Sequence, residues 1–312
     1  MANYSWSSTA AASSEPVFRS WAQGISTALA AIGMVRVEAS TAASNWSNVI
    51  AGFSNAATGT EYAWEVWAFP SSATQTASPL FFRVGYQVST VTASTPQLTM
   101  KFATAQGSGG VVTGIGGTGA LVMTPGNGTT GQAAQCFASC DGHGFALVHS
   151  VDNTNNPTAS RSWFVVDRYR NADGTPQTGG LAVFRGQHAS NNIFNHNFDL
   201  VANEYNTTTF AYAPCVTPGS IQQYNSYLKT NGEVQLFPWW STTKNGHGVS
   251  KMISTYAQND IVALNNQQVS WLPSTGSATT RTVKALGNWI STTAHDAYQS
   301  PGACLAIWWS DP

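Results

Sequence analysis

The sequence predicts a mainly β fold, with antiparallel β-sandwich-like domains and one N-terminal amphipathic helix. Three observations predict it. A clear helical period is written only once, where Phe18, Trp21, Ile25, Leu29 and Ile32 recur at three- and four-residue steps. Beyond it the apolar period falls to two and stays there, in runs separated by Gly, Pro, Asn and Asp. The 312 residues are 42% hydrophobic and 12% aromatic, enough for a large core and too aromatic for an unfolded chain.

The helix is expected over Pro16 to Ile32. Pro16 fits its first turn, Ser14 or Glu15 its cap, and Gly33 its stop. Its outer face is read as neutral, with Ser20, Gln23, Ser26 and Thr27. Val35 and Val37, opposite Arg36 and Glu38, suggest a short strand directly after it. Three stronger alternations follow: Tyr62, Trp64 and Val66 against Ala63, Glu65 and Trp67; Leu80 to Val88; and Leu98, Met100 and Phe102 against Thr99 and Lys101. Each is a strand with one better-buried face.

Residues 107–131 form a seam in which ten of 25 positions are Gly. A flexible linker is one reading; Val111, Val112, Leu121, Val122 and Met123 argue that part of it packs. A domain boundary is placed near residue 130. Residues 1–130 are read as a helix-plus-sheet attachment and assembly domain, and residues 131–312 as a β-rich C-terminal domain.

That second part reads as strands at Phe145 to Val151 and Trp163 to Arg170, then a hairpin turn at Asn171 to Gly174 before Leu181 to Phe184. Phe194 to Leu200, Val234 to Phe237, Asp260 to Leu264 and Cys304 to Trp309 continue the pattern. The last is apolar on both faces and should be a central strand. Ser220 to Leu228 and Gly287 to Ala297 hint at short helices.

Charge is the feature that bounds function. Only 9% of the residues are charged, against about 25% in an ordinary soluble domain. Ser, Thr, Asn, Gln, Gly and Ala fill the gap. A surface of hydroxyls and amides is far easier to desolvate than a charged one, which suits large, permanent interfaces. The net charge of −1 and the lack of a basic run leave a nucleic-acid partner without support. The densest basic cluster, Arg161, Arg168 and Arg170 with Arg185 nearby, is diluted by Asp167 and Asp173 and is read as a set of interface charges. No stretch approaches the ~20 apolar residues of a membrane span. Met1 to Pro16 has no secretory-signal pattern, so synthesis in a host cytoplasm and release by another route, such as lysis, is expected.

No motif for a reaction emerges, and no catalytic, cofactor or metal residues are assigned. Cys136, Cys140, Cys215 and Cys304 are too few for a disulfide framework. Buried thiols are the expected state of Cys136 and Cys140; a zinc site with His143, or a disulfide between the two, are the alternatives. His149, His188, His196, His247 and His295 are scattered. Gly248-Val-Ser250 lacks the second glycine of a nucleophile elbow. Asp167, Asp199, Glu204, Glu233 and Asp296 supply carboxylates for a glycosidase, without a pairing. Trp239–Trp240 and Trp308–Trp309 are candidate contact or glycan-stacking pairs, although neighbouring strand residues point to opposite faces and each pair also suits core and interface packing.

The N-terminal third resembles a block found in virion structural proteins of tailed bacteriophages. The likeness is carried by Phe18-Arg-Ser-Trp21, the small-residue helix ending Ala-Ile-Gly33-Met-Val35, Tyr62-Ala-Trp-Glu-Val-Trp67, Leu80-Phe-Phe-Arg-Val-Gly-Tyr86, Leu98-Thr-Met100 and Gly107-Ser-Gly-Gly110. The resemblance implies a tail, neck or baseplate component located in the virion, with copies of itself and other virion proteins as partners. It brings no active-site residues. A receptor- or host-glycan-binding tail-fibre module is the alternative, and a virion-borne glycan hydrolase a further one.

Overall fold

The computed structural model describes residues 1–9, 14–55, 57, 59–88, 96–114, 121–123, 133–151, 161–170, 176–187, 199–202, 211–212, 237–243, 246–257, 268–271, 279–285 and 303–310. Side chains are described within 1–8, 14–88, 96–113, 136–149 and 164–168. The turn at Asn171 to Gly174, residues 194–198, 234–236 and 260–264, and both short-helix expectations lie outside the described residues.

Along the chain come β1 (Ala2–Thr9), α1 (Glu15–Ala31), β2 (Val35–Ala39), α2 (Thr41–Ser44), β3 (Glu61–Ala68), α3 (Ala73–Ala77), β4 (Phe81–Val88) and β5 (Pro96–Gln106). Next are β6 (Val112–Gly114), β7 (Leu121–Met123), β8 (Ala133–Cys140), β9 (Gly144–Val151), β10 (Arg161–Arg170), β11 (Pro176–Gln187), β12 (Asp199–Ala202) and β13 (Ala211–Tyr212). The last are β14 (Phe237–Thr243), β15 (Gly246–Ala257), β16 (Gln268–Trp271), β17 (Thr279–Ala285) and β18 (Ala303–Ser310). They form three antiparallel sheets: β2-β3-β4-β5-β6 with β7 also on β5, β1-β8-β9-β10-β11-β12-β13, and β14-β15-β18-β17-β16. The fold is mainly β, as the two-residue period predicts.

Helix α1 follows its sequence signals closely. Pro16 lies in its first turn, and Gly33 takes the left-handed φ of +92° that ends it. Phe18, Trp21, Ile25, Leu29 and Ile32 are all buried. Burying each large side chain contributes about 1.5–3 kcal/mol. Ser26 corrects the reading of the outer face: it is buried, because its hydroxyl donates to Glu65 Oε1 at 2.8 Å.

The first sheet lays Ala63, Trp67, Phe82, Val84, Tyr86, Leu98, Met100 and Phe102 into the same core as the helix. In β2 both valines are turned outward, Val35 50% and Val37 41% exposed, and Arg36 is exposed as well although its guanidinium reaches Glu65. The Gly-rich seam is partly sheet: β6 and β7 both pair with β5.

Strand β1 was not foreseen. It leaves the first sheet entirely and pairs with β8, in register from Ala2↔Cys140 to Thr9↔Ala133. Its Trp6 presses on α1 at Gly24, where an added Cβ would lie 2.7 Å from the indole nitrogen. That contact explains a glycine in mid-helix, which costs about 1 kcal/mol relative to alanine.

The expected boundary near residue 130 does not separate two cores. Phe145 of β9 stacks on Phe82 of β4, with ring centroids 4.9 Å apart and planes at 28°. Phe69 joins them at 5.7 Å. Ala146, Val148 and Val165, of the opposite strand parity to Phe145, Leu147 and Phe164, are buried as well. Strand β15 packs on β10 and β9, and β18 on β1 and β8.

Candidate functional site

Apart from Lys101, the charged side chains that the structure describes are used inside the chain. Glu65, on β3 between Ala63 and Trp67, faces the core and is fully buried. A buried carboxylate is tolerated only when its oxygens are paired. Oε1 accepts from Ser26 Oγ at 2.8 Å and Arg36 Nη1 at 3.1 Å. Oε2 accepts from Tyr86 Oη at 2.7 Å and Trp67 Nε1 at 3.2 Å. Burial first, and then the charge of Glu65, push the Tyr86 phenol well above its ordinary pKa. The rings of Trp21 and Trp46 meet Tyr86 edge-on at 5.9 and 5.2 Å. Arg36 brings the counter-charge from β2 and also donates to the Ala43 carbonyl of α2 at 3.3 Å.

Other described charged side chains are tied down in the same way. Glu15 bonds Arg19 one helical turn on and accepts the Ile50 amide at 2.8 Å, while Arg19 caps the carbonyls of Trp46 and Ser47. Arg83 on β4 makes a two-pronged ion pair with Glu61 on β3 and lies 5.3 Å over the Trp64 ring. Glu38 accepts the amides of Gly109 at 2.7 Å and Gly110 at 3.1 Å, with Gln106 adding a side-chain donor. Those amide bonds, Gly110's above all, hold the Glu38 carboxyl below its ordinary pKa. Both glycines have positive φ, and Gly110 lies so close to Trp64 that a Cβ would be 2.8 Å from the ring. The Glu38 clamp therefore fixes the turn between β5 and β6.

Arg168 corrects one expected interface charge. It is 1% exposed and bonds within its own chain: to the Ser78 carbonyl at 2.8 Å, to Gln75 Oε1, and over the Phe69 ring at 5.5 Å. Burial lowers its pKa to about 10. It pins β10 to α3 and its C-cap residue. Arg161 and Arg170 lie on the same strand, opposite Ser150 and Pro176, and Arg185 on β11 stands in register with Asp199.

The tryptophan pairs are divided by the topology. Trp239 and Trp240 lie on β14, which ends its sheet, opposite Ser250 and Val249. Trp308 and Trp309 lie on the central strand β18 of the same sheet, with β15 between the two pairs. The central place of β18 is the one expected from its doubly apolar pattern.

Cys136 and Cys140 are buried free thiols, and burial raises Cys140 to about 12 and Cys136 further. Four residues apart on an extended strand they are about 13 Å apart, beyond the reach of a disulfide. Asp141 and His143 belong to the β8–β9 turn, where Asp141 Oδ1 accepts the amides of His143 and Gly144 at 2.9 and 2.8 Å. His149 stands opposite Cys136 in register, and burial lowers its pKa to about 4. Among the described residues no group of three or more His, Cys, Asp or Glu is placed to hold a metal ion.

Lys101 is thus alone among the described charged side chains in having neither an ion pair nor a hydrogen bond. The exposed side of α1 shows Ser20, Gln23, Thr27 and Ala30. Among the described residues the exposed large apolar ones are Val35, Val37, Val49 and Val111. Sequence reasoning found the charge deficit but missed Glu65 and Glu38, the two carboxylates around which the N-terminal sheet is organised. Both sat in strand patterns with nothing to show which residues would reach them. No family model matches the chain, and no curated protein does. Among the described residues no helix is long and apolar enough to cross a membrane.

Proposed function

We propose that the chain is a structural component of a tailed-phage virion, in the tail, neck or baseplate, and that it assembles as a homo-oligomer through neutral β surfaces. One observation carries the self-association: apart from Lys101, the charged side chains that the structure describes are spent on internal bonds, so the described surface is left almost free of uncommitted charge. Bringing two such surfaces together strips water from hydroxyls, amides and valines rather than from ions, and the cost of that step is correspondingly small. Repeated copies then close into a symmetric ring or bundle. The placement in a virion rests on the resemblance of residues 18–110. The role needs no catalytic residue and no cofactor.

Imaging of purified virions that carry a labelled copy tests the reading. A fixed, repeated position in the particle is expected, together with an isolated protein that sediments as an oligomer. A well-behaved monomer absent from particles would overturn it.

A second reading, a receptor- or glycan-binding module, is favoured by one feature: Trp239 and Trp240 lie on a strand that ends its sheet. Replacing both by Ala should then weaken adsorption to host cells while leaving particles intact. Unchanged adsorption rejects that site.

A further inference from the structure

A strand that ends a sheet offers a row of backbone donors and acceptors to any other strand, and proteins blunt such edges with short strands, bulges, prolines or inward charges. Most sheet-ending strands among the described residues are blunted. Strand β2 has five residues, a register break between Arg36 and Glu38, and both of those charges bound back into the chain. Strands β6, β13 and β16 have three, two and four residues. Strand β14 carries Pro238 and a register break beside it.

Strand β1 has none of these devices. It runs for eight residues, its register with β8 is unbroken, and it contains neither a charged residue nor proline. Ala2, Asn3, Ser5 and Ser7 are exposed along it. Among the described residues it also ends the seven-stranded sheet.

We propose that β1 is a self-association edge: it pairs antiparallel with β1 of a second copy about a two-fold axis at Ser5, joining the two sheets into one. The occupant follows from the strand's chemistry. An uncharged strand sets no like charges opposite one another when it meets itself, in contrast to a charged edge. Centring on Ser5 places Tyr4 opposite the partner's Trp6 and Asn3 opposite the partner's Ser7, so aromatic meets aromatic and polar meets polar. Tyr4 and Trp6 already stack within one protomer, with centroids 6.0 Å apart. A two-fold pairing of identical strands is closed and self-complementary. This inference rests on the homo-oligomer proposed above and names one of its interfaces.

The test uses the full-length protein. Residues directly opposite in an antiparallel pair have Cα atoms about 4.5–5.5 Å apart, within disulfide range. Ser5→Cys should therefore give a covalent dimer on mild oxidation, above the wild-type background. Ser7→Cys should not, because two Ser7 residues would lie about 13 Å apart. Ser5→Lys, which sets two ammonium groups face to face, should lower the sedimenting mass while the far-ultraviolet circular dichroism spectrum of the folded chain stays unchanged. Failure of Ser5→Cys to cross-link, a dimer through Ser7→Cys instead, or an assembly undiminished by Ser5→Lys overturns the edge. An intact wild-type oligomer in that last case leaves self-assembly standing through another surface; a monomeric wild type overturns both.

Discussion

The Tyr86 hydroxyl donates to Glu65 Oε2 at 2.7 Å in a part of the core where both residues are fully buried. The bond joins β4 to β3 directly beneath α1, whose Ser26 reaches the other oxygen of the same carboxylate. One acidic residue thereby holds a helix and two strands together, with β2 attached through Arg36.

Tyr86→Phe leaves that oxygen one donor short and should cost about 1–3 kcal/mol. Glu65→Ala strands three buried donors and should cost about 3–5 kcal/mol. Urea unfolding of both single variants and the double variant should show a coupling of about 1 kcal/mol or more. Additive losses would contradict the shared network.

Gly110→Ala should loosen the turn between β5 and β6. The residue has φ +74°, and its Cβ would sit 2.8 Å from Trp64. The left-handed conformation alone costs about 1–2 kcal/mol for alanine. A lowered melting midpoint is expected, and Gly109→Ala, which has no neighbour within 4 Å, should lower it less. Equal effects at the two positions would rule out the contact with Trp64.

How much of this was readable in the sequence depended on whether neighbours in sequence decide the structure. Helix α1 was readable because its period, Pro16 and Gly33 are local signals. Strands β3, β4 and β5 were readable from alternation. The buried side of β3 was not, because Glu65 is on the face that alternation alone would turn to water; only Ser26, Arg36 and Tyr86, from three other elements, reverse that choice. Ser26 was misplaced for the same reason. Strand β1 was hidden because Tyr4 and Trp6 are its only large apolar residues and its partner lies more than 120 positions away. Arg168 was read as an interface charge because Gln75 on α3 and the Ser78 carbonyl at its end, which bind it, lie 93 and 90 positions away in the sequence.

Arg168→Lys should behave as a disruptive change. Lysine has no planar fork to span Gln75 and the Ser78 carbonyl, and a loss of about 1–3 kcal/mol is expected from the bonds left unmade. Gln75→Ala added to Arg168→Lys should cost less than the sum of the two singles in denaturant melts. Full additivity would mean that the side chains do not act together.

His149 makes stability depend on pH. Its folded pKa, about 4, lies below the ordinary value near 6.5. The unfolded chain therefore binds a proton first as pH falls, and stability present above about pH 6.5 is lost progressively towards pH 4. Between pH 7 and pH 5 the loss assignable to this residue is about 2 kcal/mol. His149→Leu should flatten that part of the stability profile. An unchanged pH slope in the variant would assign the loss elsewhere.

The central claim is that copies associate through surfaces without free charge. Sedimentation equilibrium of the purified protein at about 0.05 M and 1 M salt, where the screening length falls from roughly 14 Å to 3 Å, tests it most directly. The account predicts one mass at both salt concentrations, a whole-number multiple of 33.1 kDa of two or more. A monomer under both conditions, or an oligomer that high salt takes apart, would contradict it.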